Sequence, residues 1–307
     1  MSTILVAGSM NIDIVTKVNR HPLPGETIHG METSLFPGGK GANQAVAAAR
    51  LGASVCMVGA VGNDLFGNEI KRILSDDGID LTHVKEKNST TGMALITIDQ
   101  TGENNIILSQ GANGLITKED ISRVSYDRFD AILLQNEIPW EANAFVLEKA
   151  QHHQVKTVFN PAPALAISKD YLSLIDILIL NEHEATEMTQ YKCDTKEDIV
   201  RSVQFLIDCG VKEVIITLGK KGSFYMNNKQ KVYSTAALQV PVVDTTAAGD
   251  TFIGAFIAKY MSGHSVEKSL DYASVAAAIS VTIEGAQNSI PNVDKVNNFM
   301  QRKEESM

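Results

Sequence analysis

A chain of 307 residues has room for one large α/β domain or two domains of about 150 residues each. Its 44% hydrophobic and 21% charged content excludes a disordered, collagen-like or disulfide-stapled chain. With 27 basic against 36 acidic residues and a net charge of −9, a broad electrostatic grip on nucleic-acid phosphates is not expected.

Short apolar runs punctuate the chain: Ile4-Leu5-Val6-Ala7, Val55 to Val58, Ala131 to Leu134, Thr157-Val158-Phe159, Ile177 to Leu180 and Val214 to Thr217. Continuous rather than alternating apolar character predicts parallel strands covered on both faces. Helical spacing falls between them, over 42–51, 65–76, 142–152, 184–190, 196–209 and 249–261. Strand and helix in repetition predict an α/β fold: a doubly wound, mostly parallel sheet flanked by helices.

Two stretches break this rhythm. Residues 14–37 carry Pro22, Pro24 and Gly25 between short β-like pieces. Residues 90–110 read as a hairpin, with a turn at Asp99-Gln100-Thr101-Gly102. Too small to fold alone, both are expected to project from the core as one small β-sheet. The expected division is a core of 1–13, 36–89 and 111–307, with 14–35 and 90–110 forming a lid that covers a site, pairs with a second copy, or both.

Cys56, Cys193 and Cys209 make no CxxC pair and sit in or beside apolar stretches, as reduced, buried thiols would. The start of the chain shows no signal-peptide pattern, and the nearly apolar run 275–283 is far short of the roughly 20 residues that span a bilayer. A cytoplasmic protein without a membrane partner is the expectation.

The chemistry concentrates in a few loops. Around Asp244-Thr245-Thr246-Ala247-Ala248-Gly249-Asp250-Thr251-Phe252, a strand ends, small residues follow and a helix begins. Unobstructed amides at such a helix start bind anions. Asp250 reads either as a helix-capping carboxylate or as a base beside a phosphate. Pro37-Gly38-Gly39-Lys40-Gly41-Ala42-Asn43-Gln44-Ala45 is a second close-approach loop, with donors and acceptors at Asn43 and Gln44. It fits neither a Walker A loop nor GxGxxG, and suits a hydroxyl-rich small molecule. Asn11 and Asp13, two apart at what reads as the end of the first strand, share one side of an extended chain. They read as turn formers or as partners of vicinal hydroxyls. Asn181 and Glu184 open a helix after an apolar strand, either as a cap or as an organiser of Mg²⁺ or phosphate. His183-Glu184 lacks the second histidine of a zinc peptidase, and no GxSxG elbow occurs.

Together these motifs resemble the carbohydrate kinase family that includes ribokinase and phosphofructokinase B. The resemblance runs the length of the chain, and Gly285-Ala286-Gln287-Asn288-Ser289-Ile290-Pro291 is most similar to its ribose-phosphorylating branch. It implies ATP-dependent phosphorylation of D-ribose at the 5-hydroxyl, with deoxyribose, fructose or a nucleoside as alternative acceptors and a non-catalytic sugar sensor as the rival class. Asp250 would be the base, and the amides of Ala247, Ala248 and Gly249 the anion hole. Asn11, Asp13, Gly39, Lys40, Asn43 and Glu137 match sugar-binding positions. Asn181, Thr217, Gly219, Gly222, Gly249 and Ser274 match ATP positions, and Glu184 one that organises Mg²⁺. Asp244, Thr246, Ser280, Ile283, Gly285 and Ser289 match the surroundings of an activating K⁺, largely through carbonyls. Ile283 and Glu284 stand where basic residues often occur in the family. The resemblance also implies a homodimer through the lid.

Overall fold

The computed structural model describes residues 2–305. In chain order its strands are β1 (Thr3–Ala7), β2 (Asn11–Lys17), β3 (Glu32–Gly38), β4 (Ser54–Gly62), β5 (Asp80–Lys87), β6 (Gly92–Ile98), β7 (Asn104–Ser109), β8 (Ala131–Gln135), β9 (Lys156–Asn160), β10 (Ile177–Asn181), β11 (Glu213–Thr217), β12 (Ser223–Asn227) and β13 (Val232–Thr235). The helices are α1 (Lys40–Arg50), α2 (Leu65–Asp76), α3 (Lys118–Ile121), α4 (Trp140–His153), α5 (Lys169–Leu172), α6 (Glu182–Thr189), α7 (Lys196–Asp208), α8 (Ala248–Met261), α9 (Val266–Ser280), α10 (Ala286–Ser289) and α11 (Val293–Glu305).

Nine strands form one sheet in the order β13-β12-β11-β10-β9-β8-β1-β4-β5, parallel except at the β11-β12-β13 edge. Ile4 and Val6 of β1 face one apolar layer with α1, α8 and α9, whereas Leu5 and Ala7 face another with α4 and α7. Both faces are therefore buried, which is why these strands read as unbroken apolar runs. From β1 the chain proceeds outward to β4 and β5, then returns to β8 on the other side. The crevice at the carboxyl ends of β1 and β8 is thus the switch point where open α/β sheets bind ligands.

A separate four-stranded sheet has the order β3-β2-β6-β7. It contains the expected hairpin, but its first strand begins at Asn11, before the predicted start at residue 14. Asn11 and Asp13 therefore open β2 of the small sheet rather than close β1. After Ala7, the Gly8 amide still bonds to Val58 O at 3.0 Å, and the chain then turns out of the large sheet. The apolar neighbours Met10 and Ile12 conceal that change of sheet, because both remain buried.

All three cysteines are free and buried. Among the described residues no helix is long and apolar enough to cross a membrane.

Candidate active site

The β3–α1 junction is built by glycine. Gly39 caps α1 at φ 88°, and a Cβ there would lie 2.8 Å from the Asn11 amide nitrogen. Only glycine admits both the left-handed backbone and the close approach. The turn delivers Lys40, Asn43 and Gln44 to the crevice. Glu137, just beyond β8, accepts from the Lys40 amide at 2.9 Å and from the Ser9 hydroxyl. Asn113 donates to Asn11 Oδ1 at 2.7 Å and accepts from the Met10 amide at 3.0 Å, fixing the root of β2.

Asp250, in the first turn of α8, is 8% exposed. Its Oδ2 accepts from Asn43 Nδ2 at 3.1 Å and its Oδ1 from Gln44 Nε2 at 2.9 Å. Ala247 precedes the helix in the left-handed region at φ 58°. The Ala248 amide turns back to Thr245 O at 3.2 Å, and that of Thr251 reaches Ala247 O at 2.8 Å. Among the described residues, the amides of Ala247, Gly249 and Asp250 have no acceptor. Of the three amides expected to form the anion hole, Ala248's is therefore engaged within the turn. The amide of Asp250 joins the free ones. A Cβ on Gly249 would meet open space, so packing within the protein does not require this glycine.

The electrostatics converge on Lys40. Burial alone would lower its pKa, but Asp250, Glu137, Glu184 and Asp13 outweigh that and hold it above its ordinary value. Asp13 is pushed up to about 7 by burial first, then by Glu137 and Asp250, with Lys40 opposing. One ammonium among four carboxylates leaves an acidic, hydrogen-bonding chamber suited to hydroxyl donors.

Asn181 and Glu184 form a reciprocal capping box on α6. Asn181 Oδ1 accepts from the Glu184 amide at 2.8 Å, and Glu184 accepts from the Asn181 amide and from Nδ2, each at 2.9 Å. The capping role is thus real, and it also holds Glu184 at the cleft, where burial raises its pKa. A cleft of about 240 Å³ includes Lys40, Asn160, Asn181, Glu184, Thr217 and Asp250 in its walls. A more apolar cavity of about 300 Å³ adjoins it, sharing Thr217, Thr245 and Gly249 and reaching Gly219, Gly222 and Ser274. The Ser274 hydroxyl lies 3.1 Å from that of Thr235.

Asp244 ties two loops together. Its Oδ1 accepts from the Thr246 amide at 2.9 Å and hydroxyl at 2.7 Å, and its Oδ2 from the Gly285 amide at 2.9 Å. Burial works against ionisation there, but these bonds outweigh it and hold the pKa below the ordinary value. The Ile283 amide bonds to Ser280 O at 3.2 Å. Ser289 turns its hydroxyl onto Ala286 O at 2.7 Å.

A carbohydrate kinase model, described as the pfkB family, matches residues 1–293. The chain belongs to the pfkB family of carbohydrate kinases. Among its relatives, a ribokinase of Haemophilus influenzae is 39% identical over 302 residues, covering 97% of this chain and 98% of its own. A ribokinase of Schizosaccharomyces pombe is 41% identical over 308 residues, covering 96% and 97%. A deoxyribokinase of Salmonella typhi is 36% identical over 305 residues, covering 98% and 99%. The pfkB fold is shared with the structure of Arabidopsis thaliana ribokinase complexed with ribose and ATP, at a TM-score of 0.90 and 33% identity over 97% of each chain.

Sequence reasoning missed several partners in this pfkB site. Gln44 reads in its motif as a donor and acceptor for a ligand, not as a partner of Asp250, and no local motif marks Ser9, Asn113, Gln135 or Asn160. Asn160 carried a usable signal, because it ends a strand on the edge where such sheets bind ligands.

Proposed function

We propose that this chain transfers the γ-phosphoryl group of ATP to the 5-hydroxyl of D-ribose, giving D-ribose 5-phosphate and ADP. One observation carries the reading: a buried carboxylate, Asp250, stands in the same helical turn as amides that lack acceptors. The ribokinases among the relatives support the acceptor sugar.

Asp250 takes the 5-hydroxyl proton. An electron pair on that oxygen forms the new bond to the γ-phosphorus, and the pair of the cleaved P–O bond leaves with ADP. The amides of Ala247 and Gly249 stabilise charge on the transferring group, which is most of what phosphoryl transfer asks of a protein. Asn11, Asp13, Gly39, Lys40, Asn43 and Glu137 hold the sugar, while Thr217, Gly219, Gly222 and Ser274 bound the nucleotide cavity.

Mg²⁺ fits the cleft, since it favours oxygen donors and retains several waters. No group of three or more potential metal-ligating side chains occurs among the described residues, consistent with a metal held mainly by phosphates. Glu184, with Asn181, would organise its shell, and the metal supplies neutralisation of phosphate charge. K⁺ fits the oxygen-rich loops that Asp244 joins. Asp244, the carbonyls of Thr246, Ser280, Ile283 and Gly285, and Ser289 would surround it.

The small sheet covers the sugar site and excludes water, which would otherwise accept the phosphoryl group. Its outer row, Leu35, Ile14, Leu95 and Ile107 in register, packs against a second copy of the chain.

The deoxyribokinase relative favours one second reading, 2-deoxyribose as the acceptor. ADP release measured over a panel of ribose, deoxyribose and fructose, in potassium and in sodium-only buffer, tests both readings. Fastest turnover with ribose, dependent on potassium, is expected. Preference for another sugar overturns the substrate, and equal rates in both buffers overturn the K⁺ role.

A further inference from the structure

We infer that Gln44, with Gln135 behind it, is a positioning residue that holds the Asp250 carboxylate in its productive orientation. The inference rests on Asp250 being the base, as proposed above.

Hydrogen-bond polarity gives the relay its direction. An ionised carboxylate only accepts, so the Gln44 atom 2.9 Å from Asp250 Oδ1 must be its NH₂ group. The same nitrogen reaches Asn160 Oδ1 at 3.2 Å. Asn160 is itself oriented by donating to Ile179 O at 2.9 Å. With its nitrogen committed twice, Gln44 presents Oε1 to the rear, where Gln135 Nε2 donates to it at 2.7 Å. Both glutamines are fully buried.

Gln135 has nowhere else to send its own oxygen. Oε1 is buried without a partner and lies against Gly8, where a Cβ would stand only 2.1 Å away. Leaving a buried carbonyl unpaired is unfavourable. Reversing the Gln135 amide would instead set oxygen against oxygen at Gln44, or turn the Gln44 carbonyl onto the carboxylate. In the Gln135–Gln44 relay the unsatisfied oxygen thus sits at the end remote from Asp250, and the side-chain donors of both glutamines point toward the carboxylate. Asn143 Nδ2 donates to Gln135 O at 2.8 Å and fixes the strand end from which the relay starts.

The consequence is a division of labour between the two carboxylate oxygens. Oδ1 is anchored by a residue with no exposure, whereas Oδ2 is touched by Asn43 of the proposed sugar set, so Oδ2 receives the proton. Without Gln44 only the single bond from Asn43 restrains the carboxylate, and misplacement on the ångström scale costs up to about 10²-fold in rate.

The test compares wild type, Gln44→Met, Gln135→Met and the double variant in the ribose and ATP assay, with thermal unfolding to verify the fold. Methionine keeps the volume and removes the hydrogen bonds. The expected result is a kcat loss of about 10- to 100-fold for Gln44→Met with both KM values within about threefold of wild type. A smaller loss is expected for Gln135→Met, and none beyond that of Gln44→Met in the double variant. A folded Gln44→Met enzyme with kcat within twofold of wild type overturns the inference, as does a change confined to KM or fully additive losses. If Gln44→Met does not fold, Gln135→Met decides by the same split between kcat and KM. Wild-type enzyme without turnover would overturn the kinase reading itself, and this inference with it.

Discussion

Gly254 of α8 lies so close to Gln44 of α1 that a Cβ on the glycine would stand 2.8 Å from the Gln44 carbonyl oxygen and 2.4 Å from Ala47 Cβ. This contact sets the spacing of the two helices that carry the proposed base and its partners. Gly254→Ala is expected to push them apart, with an overpacking cost of about 1–3 kcal/mol and a fall in kcat from the lengthened Gln44–Asp250 bond. Urea unfolding and steady-state kinetics check both effects, and unchanged values would show that the helices accommodate the methyl group.

Gly249 provides a contrast on the same helix, because a Cβ there meets no atom of the protein. Gly249→Ala is expected to leave the thermal midpoint within a few degrees of wild type while lowering kcat by about tenfold or more, because the added Cβ obstructs the phosphate's approach to the amide; complete loss of one oxyanion donor costs about 10²–10³-fold. A loss of stability with normal kcat would assign the glycine to folding rather than to the phosphate.

Asp13 makes stability depend on pH. Its carboxyl shifts from an ordinary 3.8 to about 7 in the fold, so folding takes up a proton between those values. Stability from this group therefore falls as pH rises from about 4 to 7 and stays reduced above, by up to about 4 kcal/mol from the linkage relation. Asp13→Asn is expected to be more stable than wild type at pH 8, equal to it near pH 4, and poor at binding ribose. Urea titrations at the two pH values decide the matter, and a variant less stable at pH 8 contradicts the assignment.

Ile107, 68% exposed on the edge strand of the small sheet, tests the proposed pairing of copies. The wild-type chain is expected to run as a dimer in light-scattering chromatography and Ile107→Asp as a monomer, since a buried unpaired charge is strongly unfavourable. A monomeric wild type, or an unaffected dimer in the variant, would contradict the interface.

Where burial pattern and period agreed, the fold was legible. Residues 65–76 were expected as a helix and are α2, and the six apolar runs all became strands of the large sheet. Helix α9 escaped because it is buried on several sides, so no single apolar stripe marks it. Strand β5, Asp80–Lys87, is half-exposed and largely polar at the edge of the sheet. The β12–β13 hairpin escaped because β12 is buried on both faces, with no alternation to mark it, and β13 is only four residues long. At the site, motif residues were legible one loop at a time. The bond from Gln44 to Asp250 joins positions 206 apart, and nothing local in either segment announces the other.

The central claim is that Asp250 deprotonates the acceptor hydroxyl, and the most direct measurement is the rate of the chemical step in Asp250→Asn under saturating ATP and ribose. Asparagine keeps the size and can still accept one of the two hydrogen bonds from Asn43 and Gln44, but it has no basic oxygen. The account predicts a rate at least about 10²-fold below wild type, with ribose and ATP still bound. A rate close to wild type would contradict it.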